Sequence, residues 1–164
     1  MPTQQQTTQE RLSATLARID AATREAGRDP IGIQLVAVTK TFGAEDILPV
    51  IEAGHRVFGE NRIQEAKGKW PALKARFADI ELHLIGPLQT NKAAEAVALF
   101  DVIQTVDRDR LVAALAREME RQKKSPKLFV QVNTGLEPQK AGLAPDQVAG
   151  FIAAAQRDFG IGFA

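Results

Sequence analysis

The chain has 164 residues, 45% of them apolar and 25% charged, and a net charge of +1, which suits one ordinary core and gives no electrostatic sign of nucleic acid, an anionic membrane or an acidic partner. Zero cysteines exclude disulfides, thiolate metal sites and thiol catalysis, and two histidines, His55 and His83, are too few for most metal cages. No apolar run approaches a membrane span, and the opening Met1-Pro2-Thr3-Gln4-Gln5-Gln6 lacks the basic and apolar regions of a signal peptide, so a cytoplasmic protein is expected.

From about Thr8 to Gly27, Leu12, Leu16 and Ile19 recur at helical spacing among charged and amide residues. This predicts an amphipathic helix over about 8–27, placed before the first strand and so covering a flank of the fold. Gln34-Leu35-Val36-Ala37-Val38-Thr39-Lys40 is a continuous apolar run ending in a hydroxyl and an amine. It reads as a strand buried on both faces, as in a parallel sheet. Lys40 then sits at the carboxyl end, where α/β proteins place their ligand chemistry. An amine partly removed from water there has the nucleophilic character that a Schiff-base lysine needs, although many strand-ending lysines are only solvated charges.

A short helix with Glu45 and Asp46 in its first turn follows and stops at Gly54. Four more units repeat the pattern: a strand at Arg56–Gly59 and a helix from Glu60 with a break before Trp70; a strand at Ile80–Ile85 and a helix from near Asn91. Then come a strand at Val102–Val106 with Asp107 as N-cap of the next helix, and a strand at Lys127–Asn133 with a helix begun by Pro145 and Asp146. Five strand–helix units in succession predict a parallel α/β architecture over residues 1–164 as a single domain. Periodicity does not distinguish a closed barrel from an open sheet. No Gly-x-Gly-x-x-Gly follows the first strand, so a Rossmann dinucleotide site has no support. The basic run Arg121–Lys124 suits a solvated helix end.

Polar residues gather just past the strands, on what a parallel fold makes a single rim. Asn61 offers an amide that could lie against a planar ring, or it could simply cap the following helix. His83 alternates with Leu82 and Leu84 and shares a side with Ile85; it could line the interior beneath a ligand or be a satisfied core histidine. Gly86 to Lys92 is a loop leading into a helix N-terminus.

Four segments, taken together, carry a resemblance: Val36-Ala37-Val38-Thr39-Lys40; Phe58-Gly59-Glu60-Asn61-Arg62-Ile63-Gln64-Glu65; His83-Leu84-Ile85-Gly86-Pro87-Leu88-Gln89-Thr90-Asn91-Lys92; and Val132-Asn133-Thr134-Gly135-Leu136-Glu137-Pro138-Gln139-Lys140-Ala141-Gly142-Leu143. In this order they resemble the pyridoxal phosphate homeostasis protein family, from Leu35 to about Asp158. The resemblance implies a parallel (β/α) barrel like the N-terminal domain of alanine racemase. It further implies Lys40 carrying pyridoxal 5′-phosphate as a reversible Schiff base, Asn61 near its ring and His83 lining the pocket. Family members continue into three more strands that supply phosphate ligands, so about five of eight strands are expected here, an incomplete, C-terminally shortened cofactor-binding barrel.

Three functions follow as expectations. The first is a carrier that holds the cofactor for intracellular homeostasis without turning over a substrate. The second is a racemase-like enzyme using the same imine. Related racemases place a tyrosine from another domain opposite the lysine, and this chain has no tyrosine, which favours the carrier. The third is a non-binding scaffold that self-associates through open sheet edges.

Overall fold

The computed structural model describes residues 7–164. The first helix, α1 (Thr8–Glu25), opens with a reciprocal cap in which Thr7 Oγ1 accepts the Glu10 N–H at 3.2 Å and the Glu10 carboxylate accepts the Thr7 N–H at 2.7 Å. It lies along the flank of the fold against the second helix, with Leu12 and Ile19 half-buried and Leu16 exposed. The five units then follow: β1 (Ala37–Val38) and α2 (Ala44–Glu52); β2 (Val57–Glu60) and α3 (Ile63–Arg76); β3 (Glu81–Leu84) and α4 (Ala93–Leu99). They end with β4 (Val102–Val106) and α5 (Asp109–Gln122), then β5 (Lys127–Val130) and α6 (Val148–Phe159). Three-residue 3-10 turns precede β1, α4 and α6.

All strand pairs are parallel and the spatial order is the chain order, β1-β2-β3-β4-β5. That order decides the architecture. Right-handed crossovers that always step in one direction place every helix on the same face of the sheet, whereas a doubly wound sheet must reverse its order. The core agrees: Phe58, Leu82, Leu84, Ile103 and Leu128 from the strands join Ile51, Trp70, Val97, Leu111, Leu115 and Phe151 from the helices in one cluster. This is the one-way winding of a (β/α) barrel wall. The segment after α6 turns back on the sheet, where Ile161 is buried and the Ala164 N–H donates to the Leu128 carbonyl at 3.0 Å along the outer edge of β5.

Four expectations change. The first strand is not covered on both faces: Val38 is 46% exposed, with no described helix on its side of the sheet. Regular strand structure there is also short, two residues, since the chain turns immediately after Thr39. α3 runs unbroken through Trp70, Pro71 and Leu73, the proline being accommodated inside the helix. Asp107 does not cap α5; Arg108 holds that position without a side-chain cap, and Asp107 pairs with the Arg108 guanidinium at 2.5 Å instead.

Candidate functional site

The site begins with β-register. Val38 lies level with Gly59, and Gly59 level with His83. Since side chains alternate along a strand, Val38, Gly59 and His83 share the helix-free face. Lys40 and Asn61, two residues further along their strands, form the next layer toward the carboxyl rim, about 6–7 Å above. The structure therefore brings Lys40 and Asn61 to adjacent strand ends and sets His83 one layer below them.

Lys40 is exposed rather than partly withdrawn from water, because the face it occupies carries no covering layer. It occupies the second position of a four-residue turn closed by the Phe42 N–H donating to the Thr39 carbonyl at 3.2 Å. Thr41, the third residue, has φ 69°. That sign is the type II requirement, usually met by glycine; in a β-branched residue it costs about 1–3 kcal/mol and is retained only where surroundings impose it.

The surroundings are a charged cluster under the turn. Lys69, 7% exposed, donates through Nζ to the carbonyls of Thr39 at 2.7 Å and Phe42 at 2.8 Å, and Nζ lies 2.9 Å from Glu60 Oε1 and 3.3 Å from Glu65 Oε1. Glu65 also accepts the Thr41 N–H. This backbone hydrogen bond, with the Lys69 charge outweighing the opposing effect of burial, holds the Glu65 carboxyl below its ordinary value. Glu60 is fully buried, and its Oε1 also accepts the Thr39 hydroxyl at 2.5 Å and the Trp70 indole N–H at 3.0 Å. Its other oxygen, Oε2, is buried with no partner.

Asn61 does not cap α3. Arg62 holds the N-cap position, with no side-chain capping bond. The next loop packs directly against its backbone: a Cβ at Gly86 would stand 2.1 Å from the Asn61 carbonyl oxygen. Only glycine permits this approach, and Thr105 Oγ1 anchors Gly86 by donating to its carbonyl at 2.9 Å. No hydrogen bond or ion pair to another described residue engages the Lys40 amine or the Asn61 amide.

His83 is 4% exposed and engaged at both ring nitrogens. The Gln104 amide donates to Nδ1 at 2.8 Å, which leaves the Nε2 hydrogen for Glu81 Oε1, also at 2.8 Å. Glu81 lies 3.6 Å from Lys127. Partial burial works to raise the Glu81 carboxyl, but hydrogen bonds from His83 and Gln34 and the Lys127 charge prevail and hold it below its usual range. His83 is thus a satisfied histidine in a polar ladder on the inner face.

Glu60 ends β2 rather than opening a helix, which starts at Ile63, and nothing in the local pattern marks Lys69 or Glu65 as part of the site. A signal existed for Glu60: period-two alternation puts it on the same face as Phe58, and a carboxylate on the core side of a strand requires a buried cation or donors. Among the described residues no cluster of histidine or carboxylate side chains is grouped to hold a metal. No described helix is long and apolar enough to cross a membrane.

The family model described as "Alanine racemase, N-terminal domain" matches residues 11–164. The pyridoxal phosphate homeostasis protein of Vibrio cholerae is 34% identical over 142 residues, covering 85% of this chain and 60% of that protein. The chain thus spans about three-fifths of that relative's length. The structure of PipY from Synechococcus elongatus with PLP bound superposes with a TM-score of 0.68 at 39% identity, covering 87% of this chain and 63% of that one. Alanine racemase from E. faecalis shares the fold, with a TM-score of 0.55 at 19% identity over 85% of this chain and 38% of that one. This chain belongs to the alanine racemase N-terminal domain family and is similar, along most of its length, to the pyridoxal phosphate homeostasis proteins.

Proposed function

We propose that this chain holds pyridoxal 5′-phosphate reversibly on Lys40 and serves its homeostasis without turning over a substrate. One observation carries this most directly: on an open inner face, the Lys40 amine and Asn61 amide stand at neighbouring strand ends with no partner among the described residues, above a buried cluster that binds the lysine's turn. Family membership and the PLP-bound PipY relative support it.

When bound, the cofactor supplies an aldehyde carbon. Lys40 would hold that carbon through its amine, reversibly and with one water lost on binding and regained on release. Asn61 is assigned to the ring edge. His83, with both nitrogens engaged one layer lower, is assigned to the floor of the site and holds neighbouring polar groups in place. The 164 residues act as one cofactor-binding unit in this proposal, and the open sheet face and β1 edge are where copies self-associate. The carrier role is favoured over racemisation because the opposite ring face would need its own proton donor, and the chain has no tyrosine to provide the one used by related racemases.

The purified chain is mixed with pyridoxal 5′-phosphate and its near-visible absorbance recorded. Borohydride then fixes any adduct for peptide mapping. The expected adduct is on Lys40, and Lys40→Ala should abolish it without altering the unfolding transition, since an exposed side chain contributes little packing. Mapping to Lys69, Lys92 or Lys140 would overturn the assignment.

A further inference from the structure

We propose that Lys69 and Glu65 are the positioning pair of the Lys40 site, holding the Thr39–Phe42 turn in the one shape that presents the Lys40 amine to the open face. The link to cofactor binding rests on the Lys40 reading above; the hold on the turn does not.

Of the backbone groups in these four residues, three are taken by two side chains from a single turn of α3: the Thr39 and Phe42 carbonyls by Lys69 Nζ, and the Thr41 N–H by Glu65. Glu65 and Lys69 are four residues apart and so share a helix face. They straddle Lys40 from beneath, one holding the carbonyls on either side of the corner and the other the amide that follows it.

Thr41 supplies the reason a hold is needed. A β-branched residue left to itself avoids φ 69°. Released from Glu65, the turn would relax toward negative φ and change the direction in which the Lys40 side chain leaves the backbone. A covalent site needs that direction fixed before the aldehyde arrives, because orientation lost in the free protein must be recovered on binding.

The cluster also settles which lysine reacts. Lys69 lies just beneath Lys40, yet its ammonium is buried among four oxygen partners. With its nitrogen committed to these partners and turned away from the open face, Lys69 acts as a clamp, whereas Lys40 is exposed. Glu60, fully buried behind it, supplies the counter-charge that permits an ammonium in this position.

The test uses the full chain with Glu65→Gln as the principal variant and Lys69→Met as the second. Amide hydrogen exchange, without any aldehyde added, reads the clamp directly. Expected is at least tenfold faster exchange at Thr41 and Phe42 in Glu65→Gln, with β2 and β3 amides unchanged, a local pattern that general destabilisation does not produce. Titration with pyridoxal 5′-phosphate should then show at least a tenfold weaker adduct, still on Lys40. Lys69→Met should do the same more strongly; if it fails to fold, Glu65→Gln decides. Unchanged exchange at Thr41, or faster exchange with unchanged affinity, overturns the proposal. If the wild-type chain forms no adduct, the proposed function fails instead, and the exchange result alone then decides whether the pair holds the turn.

Discussion

Glu65 and Gly86 show how much a single residue decides in this site. Because the folded Glu65 carboxyl lies below its ordinary value of 4.5, the stability it contributes is fully present above that pH and is lost as pH falls through the lower folded value. For this half-exposed group the loss is about 1 kcal/mol. Urea unfolding of wild type and Glu65→Gln should therefore differ at pH 7 and converge as the pH falls through the lowered folded value of Glu65; a gap that persists in acid would mean that the carboxylate charge is not what holds Thr41. At Gly86 the constraint is steric. A methyl group 2.1 Å from the Asn61 carbonyl forces backbone movement, so Gly86→Ala should cost about 1–3 kcal/mol and weaken the Lys40 adduct by displacing Asn61. Chemical denaturation and cofactor titration of that variant check both outcomes. Gly86 stood out in the sequence as a loop residue, but its contact is with a segment 25 positions earlier that no local pattern reveals.

At the scale of elements, α3 does two tasks with one face. Ile63, Ala66, Trp70 and Leu73 fill the core against Phe58, whose ring lies 5.0 Å from that of Trp70. The same stripe carries Lys69, buried between Ala66 and Leu73. An ion pair taken out of water is weak evidence for stability as a pair, yet removing one partner leaves an uncompensated charge. Glu60→Ala should destabilise the chain by about 3–5 kcal/mol, and the double variant Glu60→Ala with Lys69→Met should recover part of that loss. Equal midpoints for Glu60→Ala and wild type would show that Glu60 is not needed to hold Lys69, Thr39 and Trp70 in the fold. The break expected in α3 is absent for a related reason: Pro71 removes one helix hydrogen bond, but the helix continues through it, with Trp70 and Leu73 buried on either side. Likewise, Asp107 is a good capping residue by type, yet it pairs with Arg108, which also reaches the Leu88 carbonyl at 2.5 Å.

On the scale of the whole molecule, the unbroken strand order has the largest consequences. It puts every helix on one side and leaves the other open, with Val38 46% and Phe129 38% exposed beside the polar ladder of Glu81, His83 and Gln104. Exposed β-branched and aromatic side chains next to an uncovered strand edge favour pairing between copies. We expect concentration-dependent association in size-exclusion chromatography, reduced when Phe129 is changed to Lys. Elution as a monomer at every concentration would show that the polar ladder and the segment ending at Ala164 protect the face well enough.

The sequence by itself determined the five strand–helix units, the parallel architecture, the side of the strand on which His83 falls and the position of Lys40 at a strand end. Each follows from local periodicity, turn residues and the alternation of side chains, which neighbouring residues carry among themselves. The resemblance to cofactor-binding proteins was legible too, because its motifs are contiguous. Only the tertiary structure decided that the sheet winds one way, that Lys40 is exposed, that the Gly86 backbone packs against Asn61 and that Lys69 and Glu65 bind the turn around Lys40. Those contacts join residues from 20 to 30 positions apart, and burial depends on what lies across a face. A strand run reads the same whether one side of it is covered or both.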